Sequence, residues 1–476
     1  MENTTLSEGS SESLAKTHDS AIEKRKILYR VKINTPVILK TEAFKSETIN
    51  AQTVNLGEGG LGIALDSEVE LPSPLLIEFS LMNTPIQFHG EVRWNKIFDD
   101  GKYYCGVHFL DENKEQESIL KRFLYTNDEY IQQLIENLPE TEKENSCKIE
   151  HFFKSDVKGF VENLIRLEEE IKDNLRSEDS ILNELTTISE EILKKGDELE
   201  EIIKNWQSIE KIKDAFRSLV GYWVYQSKIV KMSLKESYGY SGNCITQETI
   251  YNNQSISDGL GIYYDKYFLN NPYAIAVQNR KEKMKDLLMD FLKKTEPSSI
   301  NILNLASGPC REIRELLPDL HSINKNIKFT CVDFDENAIS FSKEKLMPLP
   351  ENIKVEFLKE NILRLIAHKD ATLMLNKQNL IYSMGLVDYL SDAILKRTIF
   401  FAFSLLNNGG KLIITHKDRD KYKPLDPDWF CDWSFEPRNV DGLIRLINNS
   451  GIRDFTIELD WEDSNKILFL TLTKRV

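Results

Sequence analysis

Between Arg25 and Tyr130 the chain runs in short apolar stretches separated by turn residues. VKINTPVILK, ETINAQTVNL, LGIALD, LLIEFSL, IQFHGEVRW and YYCGVHFL are rich in β-branched and aromatic residues and read as strands. That spacing predicts an antiparallel β-barrel or sandwich over 22–130. The period then changes. ENKEQESILKRFLYTNDEYIQQL reads as a helix with Ile119, Leu120, Phe123 and Leu124 on one side, and Pro139 to Lys148 as a charged linker or loop. From Phe152 to Leu234 apolar residues recur at three-and-four spacing. Val157, Val161, Leu164, Ile165, Ile171 and Leu175 form one stripe, and Ile181, Leu185, Ile188, Ile192, Leu199, Ile202, Ile203 and Trp206 another. Two or more long antiparallel helices account for this; a coiled-coil dimer is the alternative, although the heptads are irregular. Tyr238 to Gly261 reads as a loop, and Tyr263 to Lys294 as two helices. From Ser299 strands and helices alternate up to FTIELDW and ILFLTLTKR, which predicts a doubly wound α/β sheet ending in an antiparallel edge.

The expected fold is therefore multidomain: a tail over 1–21, a barrel over 22–130, a helical region over 131–296 and an α/β domain over 297–476. Ser, Thr and Glu dominate the first twenty residues, which predicts a disordered tail and no secretory signal. No stretch approaches the ~18 uncharged apolar residues of a membrane span. The net charge of −15 disfavours nucleic acid and anionic membranes, although Lys24-Arg25-Lys26 is a local basic cluster. Six cysteines without a paired spacing argue against a zinc site, leave no metal site expected, and fit a reducing cytoplasm.

In an open α/β sheet, ligands bind beyond the carboxyl ends of the strands. The first strand ends in Asn304-Leu305-Ala306-Ser307-Gly308-Pro309-Cys310, where small residues at alternate positions let the backbone approach a ligand. The second ends in Asp333-Phe334, and a carboxylate there suits the two hydroxyls of a ribose. The alternative for Asp333 is a helix cap, because Glu336 follows. The third strand ends in Asn361-Ile362, where an amide suits an adenine edge. The fourth ends in Ser383-Met384-Gly385-Leu386-Val387-Asp388-Tyr389. These features resemble the class I S-adenosylmethionine-dependent methyltransferases, with Asn304, Ala306 and Cys310 standing where that family has an acid and two glycines. A dinucleotide fold would want Gly-x-Gly-x-x-Gly at the first turn, which is absent. The resemblance implies a donor site of Asn304, Ala306, Ser307, Gly308, Cys310, Asp333, Phe334, Asn361, Ile362, Ser383 and Gly385. NLASGPCREI and IYSMGLVDYLSD, with the helices of 263–294, are similar to a bacterial subgroup that includes synthases of 3-hydroxy fatty acid methyl esters. That implies a small-molecule acceptor, a carboxylate on an acyl chain, entering past Asp388 and Tyr389. His416, after the fifth strand, is a further candidate base; the plainer readings are a helix cap for Asp388, a core aromatic for Tyr389 and a polar surface or core residue for His416.

At the other end, Arg25-Lys26 and Arg30 precede the first strand, and Asn55-Leu56-Gly57-Glu58-Gly59-Gly60 follows a later one. Guanidinium forks, an amide and a glycine-rich turn together suit phosphates and a guanine edge. The pattern resembles the PilZ family, whose signature is Arg-x-x-x-Arg followed by Asp/Asn-x-Ser-x-x-Gly. Lys26 stands at the first Arg and Gly57 at the Ser. The resemblance implies cyclic di-GMP bound by Arg25, Lys26, Arg30, Asn55, Gly57 and Gly60. The combined expectation is a cytoplasmic methyltransferase tuned by cyclic di-GMP, with helices able to support a homodimer. Two alternatives stand: a non-catalytic cyclic di-GMP effector, and an active methyltransferase whose barrel binds no nucleotide.

Overall fold

The computed structural model describes residues 31–475 apart from 41–47, 58, 70, 72–73, 82–83, 99, 235–241, 368–374 and all but scattered positions of 111–139. The expectations for the 1–21 tail and for Arg25, Lys26 and Arg30 lie outside the described residues. The chain divides into two compact units, residues 1–169 with 194–220 and residues 170–193 with 221–476.

In the first unit, strands β2 (Pro36–Lys40), β3 (Ile49–Gly57), β4 (Gly60–Leu65), β5 (Leu75–Leu81), β6 (Thr84–Ile97) and β7 (Tyr103–Phe109) close into an antiparallel barrel. Their order is β3-β2-β5-β6-β7-β4, with β4 returning to β3 and the short β1 (Val31–Lys32) added outside β3. Alternation supplies the core: Leu75, Ile77, Phe79 and Leu81 of β5 all point inward, and Phe88 stacks on Phe109 at 4.3 Å. The predicted linker at 139–148 is instead helical, a 3₁₀ turn at Glu140–Asn145 leading into helix Ser146–His151. Its Glu and Lys are good helix formers, and their charge alone made it look like a linker.

The helical stretch is cut more often than the stripes suggest. Helix Lys158–Lys172 stops before Asn174, whose φ of 51° is left-handed, so Leu175 falls in a turn and is exposed. Arg176 fastens that turn to Glu170 at 2.9 Å and to the Ser180 hydroxyl at 2.7 Å. Helix Glu178–Ile202 ends before Trp206, which opens helix Trp206–Val224 and is 71% exposed. The region expected to be a loop contains helix Cys244–Asn252, capped by Asn243 and ended by left-handed Asn253. Helices Leu260–Leu269 and Pro272–Lys294 follow as expected.

The second unit is built on a sheet of β8 (Ser299–Leu305), β9 (Asn326–Asp333), β10 (Ile353–Lys359), β11 (Gln378–Ser383), β12 (Leu406–Lys417), β13 (Phe455–Trp461) and β14 (Ile467–Lys474), in the order β10-β9-β8-β11-β12-β14-β13. The first five strands are parallel; β14 runs antiparallel to both β12 and β13. This is the doubly wound 3-2-1-4-5 order with an antiparallel hairpin where a dinucleotide fold places a sixth parallel strand. Leu412, Ile414, Leu468 and Leu470 face a core shared with helices Asp392–Ser404 and Val440–Asn448. Among the described residues no helix is long and apolar enough to cross a membrane.

Candidate donor site and barrel site

The β8 turn explains its spacing. Ala306, Gly308 and Cys310 have φ of 56°, 52° and 48°, so each alternate residue takes the left-handed conformation that favours glycine. Ser307 N donates to Val332 O at 3.0 Å, which draws the turn onto β9, and the buried Ser307 hydroxyl has no partner among the described residues. Asp333 closes β9 and is 7% exposed. One of its oxygens accepts from Gly308 N at 2.8 Å and the other from Asp335 N at 3.0 Å. The cap of helix Glu336–Leu346 is Asp335, accepting from Asn337 N at 2.9 Å, so Asp333 is not spent as a cap. Burial raises the Asp333 carboxyl above its ordinary value, against the pull of the amides it accepts from.

Other anticipated donor residues are placed differently. Asn304 and Cys310 are fully buried, and Ser383 donates to Leu305 O at 2.7 Å, so these three form the wall behind the turn. Asn361 uses its amide oxygen to accept from Leu363 N at 2.8 Å, starting helix Ile362–Ala367. Phe334 is 52% exposed beside Asp333, and Ile362 is half-buried. Gly385 needs its φ of 94° and its bare Cα, since a Cβ there would lie 3.0 Å from Arg280 Nη1. Sequence reading missed Arg280, Gln247 and Glu312. Helix 244–252 brings Gln247 to Gly308, where a Cβ would meet its amide oxygen at 3.3 Å. Glu248 holds that helix by pairing with Arg311 at 3.0 Å and Arg314 at 2.8 Å.

Beyond β11 and β12, Asp388 is 1% exposed and accepts from Lys417 Nζ at 2.7 Å and Lys417 N at 3.0 Å, with His416 Nδ1 2.8 Å away. Burial opposes its charge, yet Lys417 and His416 hold the carboxyl far below the usual carboxylate range. Burial, helped by Arg280, lowers Lys417 to about 8 despite Asp388. Strand alternation puts His416 on the sheet face of Leu412 and Ile414, opposite Lys417. The Lys417 ammonium lies 3.5 Å from the Phe435 ring centre and 5.1 Å from that of Tyr273. Tyr389 is 44% exposed and its hydroxyl accepts from Trp433 Nε1 at 2.7 Å. Arg438 holds this turn by donating to Val387 O at 3.1 Å and to Leu390 O. Among the described residues no cluster of His, Cys, Asp and Glu could hold a metal ion.

On the barrel, register shifts between Thr53 and Asn55 in β3 and between Val92 and Trp94 in β6 re-aim two side chains outward. Asn55 pairs with Gly62, Gly62 with Gly106, and Gly106 with Trp94, a row across four strands. Cβ atoms on the two glycines would lie 3.0 Å from the Asn55 amide and 2.1 Å from Trp94 Nε1, so both side chains rest on bare backbone. Gly57 and Gly60 close the hairpin beside this row, and a Cβ at Gly60 would lie 2.0 Å from Val107 O. Plain alternation would bury Trp94; only the bulge exposes it.

Residues 23–126 match the family model of the PilZ domain. The PilZ match thus spans the whole described barrel. No curated protein matches the chain. Among solved structures, the chain is similar to a possible exported protein from Bordetella parapertussis, with 14% identity, a TM-score of 0.41, and coverage of 54% of this chain and 88% of that one. It is also similar to an N-methyltransferase from Bradyrhizobium japonicum, at 13% identity and a TM-score of 0.29 over 41% of this chain and 97% of that one. A third is magnesium protoporphyrin IX methyltransferase from Synechocystis, with S-adenosylhomocysteine bound, at 9% identity and a TM-score of 0.32 over 43% and 87%.

Proposed function

We propose that the chain is an S-adenosylmethionine-dependent methyltransferase that acts on a small-molecule carboxylate and is tuned by cyclic di-GMP at its PilZ barrel. The observation that carries the donor reading is Asp333. Its carboxylate sits at the end of the second strand of the order, bonded to the Gly308 amide of a three-fold left-handed turn, where a ribose would meet it. The orphaned Ser307 hydroxyl beside it supports a polar ligand at the same place. S-adenosylmethionine supplies a methyl group on a sulfonium, so the chain's own task is to bind and align. Asp333 would hold the ribose, Phe334 and Ile362 would flank the adenine, and Gly385 would leave room above β11.

The surroundings of Asp388 support an acceptor that needs no base. Asp388 is committed to Lys417, and His416 is 1% exposed with its Nδ1 2.8 Å from Asp388. The Lys417 ammonium among aromatic rings suits a carboxylate with an apolar body, and Tyr389 is the exposed group at the entrance. Asp388 is then a positioning residue acting through Lys417. On the barrel, the Asn55–Gly62–Gly106–Trp94 row offers an amide, a bare floor and an indole, which suits a purine. Calorimetry with S-adenosylhomocysteine tests the donor reading. Wild type should bind, and Asp333→Ala should weaken binding by about tenfold or more, the loss of charged hydrogen bonds worth about 1.5–3 kcal/mol. A folded wild-type protein that ignores the nucleoside would end the enzymatic reading.

A further inference from the structure

Two buried ionisable side chains, one acidic and one basic, lie behind the β8 turn. Glu312, in the first turn of helix Arg311–Leu320, is 1% exposed, and its Oε1 accepts from Asn304 Nδ2 at 3.0 Å and from the Tyr382 hydroxyl at 2.7 Å. Arg280, on helix 272–294, is 4% exposed, lies against Gly385, is bonded to Tyr251 and has an Nε without a partner. Among the described residues no ion pair joins the two. Burying a charge without a counter-charge in contact is costly, and Arg280 acts on Glu312 only from a distance, so a group between them would compensate both. A ligand end bearing one positive and one negative group does so, and an α-amino acid is such an end.

Resting on the donor reading above, we propose that Glu312 supplies the carboxylate missing at position 304. It holds the ammonium of the donor's amino-acid end, Asn304 and Tyr382 fix its orientation, and Arg280 faces the donor's carboxylate. The acid has moved from the strand to the helix, eight residues on, and Asn304 keeps contact with it. The titratable groups around Glu312 are Tyr382 on β11, Cys331 on β9, Arg280 and Tyr251 on the covering helices, and Cys310 and Glu315 on its own segment. Glu315 is paired with Lys281 and Arg311, which leaves Arg280 as the cation facing Glu312. Burial raises the Glu312 carboxyl to about 7, against the Tyr382 bond and Arg280. The acid is therefore half-protonated near neutrality, and a bound ammonium favours its ionised form.

The test uses the full chain and two probes in calorimetry. S-adenosylhomocysteine carries the amino-acid end and 5′-methylthioadenosine lacks it. Glu312→Gln should weaken S-adenosylhomocysteine by about tenfold or more at pH 8 and leave methylthioadenosine within about twofold. The double variant Asn304→Asp/Glu312→Gln should regain most of the loss. Wild-type affinity for S-adenosylhomocysteine should rise from pH 6 to pH 8, and that of Glu312→Gln should stay flat. Equal weakening of both probes would make Glu312 merely structural and overturn the inference, as would unchanged binding of S-adenosylhomocysteine. Wild type binding neither nucleoside would remove the donor reading, and this inference with it.

Discussion

Ala306 and Cys310 hold a backbone conformation that costs a side-chain-bearing residue about 1–2 kcal/mol, yet the turn keeps it at both positions. A turn with no remaining task would be free to relax, so the retained conformation speaks for a working floor. Ala306→Gly should relieve the strain by more than the flexibility it adds to the unfolded chain. Denaturant unfolding should show a gain of about 0.5–1 kcal/mol, with S-adenosylhomocysteine binding within about twofold of wild type. A loss of stability would mean that the Ala306 methyl is needed for packing. Glu312 has a second, ligand-free signature. Its proton is held more tightly in the folded chain, at about 7 against an ordinary value near 4.5, so stability should fall as pH rises from about 4.5 through 7. Relative to wild type, Glu312→Gln should gain stability between pH 5 and pH 8, by up to about 3 kcal/mol. Thermal midpoints of the two proteins that stay parallel across that range would contradict the buried acid.

At the scale of elements, strand positions were legible because two rules are local: apolar runs make strands, and ligand residues follow their carboxyl ends. Asp333 and the 304–310 turn were placed at the carboxyl ends of β9 and β8 that way. Arg280 and Glu312 were not: only tertiary packing brings Arg280, more than a hundred residues away in sequence, against Gly385, and Glu312 reads as an ordinary first-turn acid of its helix until Asn304 and Tyr382 are seen bonded to it. Trp94 was missed because a bulge reverses its face, and helix 244–252 because Gly, Ser and Asn flank it. In that segment Asn243 is a cap, accepting from Thr246 N at 3.0 Å, and not evidence of a loop. The helix is held by Glu248, which is 8% exposed and bonded to two arginines. Glu248→Ala should free it: hydrogen exchange at 244–252 should accelerate by about tenfold or more while β8 stays protected. Because Gln247 rests against Gly308, S-adenosylhomocysteine should also dissociate faster. Unchanged exchange would show that packing, and not Glu248, holds the helix.

At the scale of the whole molecule, the proposed binding of a messenger at the barrel and of a donor at the sheet in one chain makes regulation a question of linkage, which needs no knowledge of a pathway between them. If cyclic di-GMP changes the affinity for S-adenosylhomocysteine by some factor, S-adenosylhomocysteine must change the affinity for cyclic di-GMP by the same factor. Couplings of this kind are typically about 5–150-fold. Trp94 is 48% exposed beside Asn55, Gly62 and Gly106, so its fluorescence should report the messenger, with Trp94→Phe separating its signal from that of the other tryptophans. Two titrations should then agree: cyclic di-GMP with and without saturating S-adenosylhomocysteine, and the reverse. Arg30→Ala should abolish the messenger's binding and its effect while leaving basal donor affinity intact. Equal affinities in all arms would leave two independent binding functions on one chain. A methyl-transfer rate that still responded to cyclic di-GMP would then place the effect on the acceptor or on the chemical step, because rates, unlike affinities, carry no obligation of reciprocity.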